Sequence, residues 1–125
     1  MTQDETAAVG IAMAYHRAWT TGDLETATTY LAGDAVCHTP AGKLTGSTAI
    51  GAFMAPFAAT LTGSRLLAAH GNAIEAMLMY DTSSSAVASA PGAELYRVQS
   101  GLITEIHILF DRLPFALARG EVIRA

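Results

Sequence analysis

Tyr15–Ala27, YHRAWTTGDLETA, contains the corner on which the architecture turns. Ahead of it, Ala8, Ile11, Ala12, Tyr15 and Trp19 recur at helical spacing, which predicts a helix from about Asp4 to Thr20 with one inward stripe. Gly22 suits the left-handed residue that closes a helix, and Asp23 suits the N-cap of the next one, whose inward residues are Leu24, Ala27, Tyr30 and Leu31. TTGDLETA is therefore a tight helix-to-helix corner, and Tyr15 and Trp19 point into the protein. The open question is whether the Tyr15 hydroxyl serves only the core or also a bound molecule.

Beyond the corner, AVCHTP reads as a short strand closed by Pro40 and AGKLTG as a turn. STAIGAFMAPFAATL reads as a helix capped by Ser47 or Thr48, and Pro56 is expected to kink or end it. The runs RLLAAHG, AIEAMLMYDTS, SAVASAPGAELYRVQ and LITEIHILFD then predict a meander of antiparallel strands. DTSSSAVASAP, low in complexity, is a loop or an edge strand. Helices followed by strands argue an α+β fold, and 125 residues argue a single domain over 1–125.

Composition narrows the function. The chain is 51% hydrophobic and 14% charged, enough apolar material to fill a core and line a pocket. A net charge of -4 with scattered basic residues argues against nucleic acid. An acidic N-terminus and the lack of any apolar run of ~18 residues predict a cytoplasmic protein with no membrane partner. No glycine-rich phosphate loop recommends a nucleotide cofactor. No two histidines stand at i, i+4 and the acidic residues are isolated, so spacing predicts neither metal nor other cofactor. Cys37, the only cysteine, reads as buried and structural.

The segments YHRAWTTGDLETATTYLAGDAVCHTP, LTGSTAIGAF and ELYRVQSGLITEIHILFDRLPF resemble the nuclear transport factor 2-like superfamily, in particular its SnoaL-like members and ketosteroid isomerase. The resemblance implies a cystatin-like cone, in which a curved antiparallel or mixed sheet wraps N-terminal helices and leaves an apolar pocket open at one end. It places Tyr15 at the isomerase's oxyanion-hole tyrosine. Glu94 falls at the second oxyanion donor, a carboxylic acid kept protonated by its apolar site. The isomerase's general base falls on Thr39, whose hydroxyl cannot remove a carbon-bound proton at neutral pH. The catalytic acid of SnoaL-like cyclases falls on Ile108.

Strand alternation supplies the remaining expectations. Glu94 and Tyr96 share one face; Thr104, Ile106, Ile108 and Phe110 form a pocket wall, with Glu105, His107, Leu109 and Asp111 opposite, unless a bulge intervenes. His107 is then a structural or interface residue, and Asp111 caps the exit turn before RLPF. His38 faces outward on a regular strand, but the approach to Pro40 can rotate it into the pocket as the missing base. His16 and His70 read as surface or sheet-edge residues.

The expected function is a cofactor-independent enzyme of isomerase, cyclase, dehydratase or epoxide hydrolase type acting on a small hydrophobic molecule. Tyr15, Glu94 and His38 are the catalytic candidates; Trp19, Thr39, Phe53, Leu78, Tyr80, Tyr96, Ile106, Ile108 and Phe110 are the lining candidates. The alternative is a non-catalytic ligand-binding or dimerisation module that lost its base. Met77, Met79 and Leu109 on the sheet's other face predict a homodimer.

Overall fold

The computed structural model describes residues 5–120. The element order is α1 (Ala7–Thr20), α2 (Leu24–Thr29), β1 (Leu31–Thr39), β2 (Gly42–Thr45), α3 (Ser47–Thr60), β3 (Leu61–Gly71), β4 (Glu75–Ser84), β5 (Ala90–Gln99), β6 (Leu102–Phe110) and α4 (Leu113–Ala118). One curved sheet of order β2-β1-β6-β5-β4-β3 holds all six strands. Only the β1–β6 pair is parallel, and the other pairs are antiparallel. The fold is α+β, with helices packed on one face of a mixed sheet.

The corner forms as its residues dictate. Gly22 has φ +87°, and the Asp23 carboxylate accepts from the Thr26 amide at 3.1 Å to cap α2. Asp4, where the first helix was expected to begin, lies outside the described residues. α1 buries Ala8, Ala12, Tyr15, His16 and Trp19, a stripe wide enough to lie against the sheet. The sheet answers with alternating inward residues: Ala76, Leu78, Tyr80 and Thr82 on β4, and Glu94, Tyr96 and Val98 on β5.

Several expectations change. AGKLTG is not merely a turn: Gly42–Thr45 pairs with Val36–Thr39, and its four residues are too few to show a period. α3 runs through Pro56 to Thr60. The proline lies on the exposed side, where the carbonyl it leaves without a donor can meet water, while Ile50, Met54 and Ala58 hold the buried side. On β6 a bulge at Thr104 breaks the alternation, so Ile103 joins Ile106 and Ile108 in the core, and the Thr104 hydroxyl donates outward to the Arg97 carbonyl. DTSSSAVASAP divides between the end of β4, a short loop and the start of β5. Asp111 does cap the exit turn, accepting from the Leu113 amide at 2.9 Å, and α4 follows. Among the described residues no helix is long and apolar enough to cross a membrane.

Candidate functional site

A cavity of about 270 Å³ opens at one end of the molecule between the sheet, α1, α3 and α4. Trp19 comes from α1; Phe53, Met54 and Phe57 from α3; Tyr80 and Thr82 from β4; Ala90 and Gly92 from β5; Ile108 and Phe110 from β6. α4 closes the outer side: Phe115 meets Phe57 and Phe110 edge-on, each at 5.7 Å. Arg112 and Arg119 stand at the rim, and Ala41 of the β1–β2 turn completes the wall. The lining is almost wholly apolar, with Tyr80, Thr82 and the Trp19 indole its buried polar groups.

The position of Tyr80 follows from register. Tyr80 faces Gly92 across the β4–β5 ladder, and a methyl group on Gly92 would sit 3.1 Å from the Tyr80 hydroxyl and ring. The missing side chain gives the Tyr80 ring room to lie across β5. Glu94 is the next inward residue of β5, diagonal to Tyr80, and the Tyr80 hydroxyl donates to Glu94 Oε2 at 2.5 Å.

Glu94 is 1% exposed. Burial pushes its carboxyl up to about 7, against the opposing donors Tyr80 and Tyr96, which favour the ionised form. Oε1 of Glu94 and the Tyr96 hydroxyl have no partner of regular hydrogen-bond geometry. Tyr15 packs edge-on against Tyr96 at 5.9 Å, and burial and then the Glu94 charge raise its pKa. Burial, then Glu94, likewise pushes the Cys37 thiol up to about 12, which leaves it protonated and inert. Three tyrosines and a cysteine thus surround one carboxyl in the core.

Of the expected site residues, Tyr15 and Glu94 come together with Tyr80 and Tyr96, but Tyr15, Glu94, Tyr96, Leu78 and Ile106 lie behind the cavity floor. Trp19, Phe53, Tyr80, Ile108 and Phe110 line the cavity itself. Thr39 is elsewhere: its hydroxyl accepts from the Ala41 and Gly42 amides, each at 3.1 Å, and donates to the Gly42 carbonyl at 2.9 Å, which ties the hairpin turn. His38 is corrected as a pocket base. β1 keeps its alternation, with Ala35 and Cys37 inward, so His38 lies on the outer face, where it pairs with Glu105 and stacks on His107.

His16 was misplaced by its polarity. It is 5% exposed, lies 4.7 Å from the Tyr80 ring and 5.3 Å from the Trp19 ring, and neither ring nitrogen has a partner. Burial lowers its pKa to about 4. Standing four residues after Ala12 and three before Trp19, it falls inside the inward arc, a signal present in the spacing.

The SnoaL-like domain family matches residues 12–106. No curated protein matches the chain. A solved structure from Kribbella flavida is 51% identical over 93% of this chain and 96% of its own, with a TM-score of 0.90. A hypothetical protein from Catenulispora acidiphila with a ketosteroid isomerase-like fold, solved with trimethylamine, is 19% identical over 88% of this chain and 92% of its own, TM-score 0.72. A protein from Silicibacter pomeroyi described as cystatin-like in fold is 17% identical over 89% of this chain and 80% of its own, TM-score 0.75.

Proposed function

We propose, from the premise that this chain belongs to the SnoaL-like domain family, that it binds a compact apolar molecule in the cavity and meets one oxygen of that molecule with the Tyr80 hydroxyl. The observation that carries this reading is the Tyr80–Glu94 pair: one end faces the cavity and the other is a buried carboxyl that holds its proton to about 7. While Glu94 is protonated it can donate to Tyr80, which frees the Tyr80 hydrogen for a ligand carbonyl, phenol or epoxide oxygen. Once Glu94 is ionised, Tyr80 donates to it and can only accept from the ligand. Tyr15 and Tyr96 then serve as the packing that fixes the carboxyl, and the reaction classes that fit are isomerisation, cyclisation, dehydration or epoxide opening, with Tyr80 as the donor at the reacting oxygen. The volume, just under the roughly 300–1,000 Å³ of pockets for drug-sized ligands, favours a fused bicyclic or smaller molecule.

A second reading, a binding module without catalysis, rests on a different observation: none of the described side chains lining the cavity is a carboxylate or an imidazole. Trp19 is the only tryptophan and lines the cavity, so its fluorescence reports occupancy directly. Titration with indan-1-one is expected to change Trp19 emission saturably. No saturable change with any compact ketone or phenol up to its solubility would sink the ligand-binding reading. Enzyme-dependent exchange of the ketone's α-hydrogens in D₂O, with a cavity water taking the proton, would favour catalysis through an enol, and diol formation from indene oxide reads epoxide opening; a simple binder leaves both at background.

We also propose that two copies associate through the outer face of the sheet. Met77, Met79 and Leu109 are 53%, 48% and 69% exposed there, an apolar patch of the kind that a second copy covers. Sedimentation should give a dimer at micromolar concentration, and Met79→Glu with Leu109→Glu should give a monomer. A wild-type monomer at that concentration removes the claim.

A further inference from the structure

The outer face of the sheet carries a second cluster, on the side away from the cavity. β1 and β6 run parallel with His38 opposite His107 and Val36 opposite Glu105, which brings His38, Glu105 and His107 onto neighbouring outward positions. One potential ligand atom from each lies within 4.8 Å of the others. His38 Nε2 is 3.0 Å and His107 Nε2 3.6 Å from the same oxygen, Glu105 Oε2, and the two imidazoles stack at 4.3 Å with their planes 13° apart.

We infer that His38, Glu105 and His107 form a binding site for a divalent metal ion of borderline softness, Zn²⁺ or Cu²⁺. Two ligand atoms held tetrahedrally at the usual zinc distances of ~2.0–2.1 Å stand ~3.3 Å apart, and the two nitrogen-to-oxygen separations bracket that value. Closing around an ion asks in addition for side-chain rotations that unstack the rings and bring the two imidazole nitrogens, now within 4.8 Å, to that separation. Two imidazoles and one carboxylate suit zinc and copper and do not suit Mg²⁺ or Ca²⁺, which take oxygen ligands. On binding, each imidazole offers a neutral nitrogen, and water or a donor of the second copy seated on this face fills the remaining positions.

The surroundings support and tune this site. Arg97 Nε stands 3.5 Å from Glu105 Oε1 and 3.5 Å from Glu75 Oε2, so it holds the oxygen that the metal does not need and orients the other toward the histidines. Lys43 lies opposite His38 in the β1–β2 ladder, a second cation whose repulsion of an incoming dication Glu105 and Glu75 offset.

Isothermal titration of the full, untagged chain with ZnCl₂ and with CuSO₄ near neutral pH tests the site. Saturable binding is expected for both, tighter for Cu²⁺ in keeping with the general order of divalent affinities, and none for Mg²⁺. His38→Asn and His107→Asn should each weaken Zn²⁺ by more than the about 10–100-fold that loss of a mere outer partner costs, whereas His70→Asn should titrate as wild type. In wild type the ring resonances of His38 and His107 should shift together on Zn²⁺ addition while those of His70 stay put, a readout that does not depend on any variant folding. Failure of wild type to saturate with Zn²⁺ below the millimolar range, or unchanged binding in both His38→Asn and His107→Asn, overturns the site and leaves an ordinary surface ion-pair network.

Discussion

Glu94→Gln is expected to turn the joint contribution of Glu94 and His16 to stability, nearly flat between about pH 4.5 and 6.5, into a gain as pH rises, of ~3 kcal/mol over the full titration window of His16. The reason is that two buried groups oppose each other. Native Glu94 keeps its proton to about 7, whereas the unfolded chain releases it near 4.5, so between those values the native state binds the extra proton and rising pH destabilises it. Native His16 stays neutral down to about 4, whereas unfolded histidine protonates below 6.5, so there the unfolded state binds the extra proton and rising pH stabilises the fold. In their common window the two contributions cancel.

Removing one member exposes the other. Glu94→Gln leaves the His16 slope, about +1.4 kcal/mol per pH unit, and His16→Leu leaves the Glu94 slope of the same size and opposite sign up to about 7. His16→Leu also removes two buried nitrogens without partners, and so should be the more stable of the two at low pH. Urea unfolding at several pH values and one fixed protein concentration, read as each variant minus wild type, cancels the titration of exposed groups such as Asp23 and Glu105. Slopes in both variants equal to that of wild type would mean that neither group is titrating from a buried state.

The same two residues show what the sequence could and could not disclose. Glu94 was legible because it shares a strand face with Tyr96, a relation that needs only a period of two. His16 was equally within reach of a helical period, yet a histidine beside no partner in sequence reads as surface, and its burial depends on the Tyr80 and Trp19 rings that enclose it. The fold order followed from punctuation, Gly22–Asp23 above all, whereas the bulge at Thr104 and the short strand β2 depend on partners across the sheet. Long-range register also decided the site. Nothing local to Tyr80 says that it faces a glycine, or that this glycine lets its hydroxyl reach the acid two residues on. The cluster of His38, Glu105 and His107 was hidden for the same reason, since β1 and β6 are far apart in the chain and parallel. α4, which closes the cavity with Phe115, lay in a stretch read only as the exit from the last strand.

Register therefore makes Tyr80 the residue whose loss should cost ligand recognition most. Tyr80→Phe keeps the ring that lines the cavity and removes only the oxygen, so binding of an oxygen-free molecule should hardly change. Indan-1-one and indane share their bulk and differ in the carbonyl. Wild type should prefer the ketone, because a hydroxyl that Glu94 backs meets an oxygen that would otherwise lose its water. A hydrogen bond of ordinary strength, about 0.5–1.5 kcal/mol, makes the preference roughly 2- to 12-fold, and Tyr80→Phe should erase it. Where the oxygen gains charge during a reaction the stake is larger, since removal of one preorganised donor costs about 10²–10³ in turnover. The variant also strips Glu94 of the donor that favours its ionised form, so its pKa should climb further above 7. Trp19 fluorescence titrations of both ligands against both proteins, with the ketone's hydrogen exchange followed in parallel, read the three effects separately. Loss of affinity for indane as well as the ketone would assign Tyr80 to the shape of the cavity alone, whereas an unchanged ketone preference would place the ligand's oxygen elsewhere, with the rim arginines Arg112 and Arg119 as the next groups to replace.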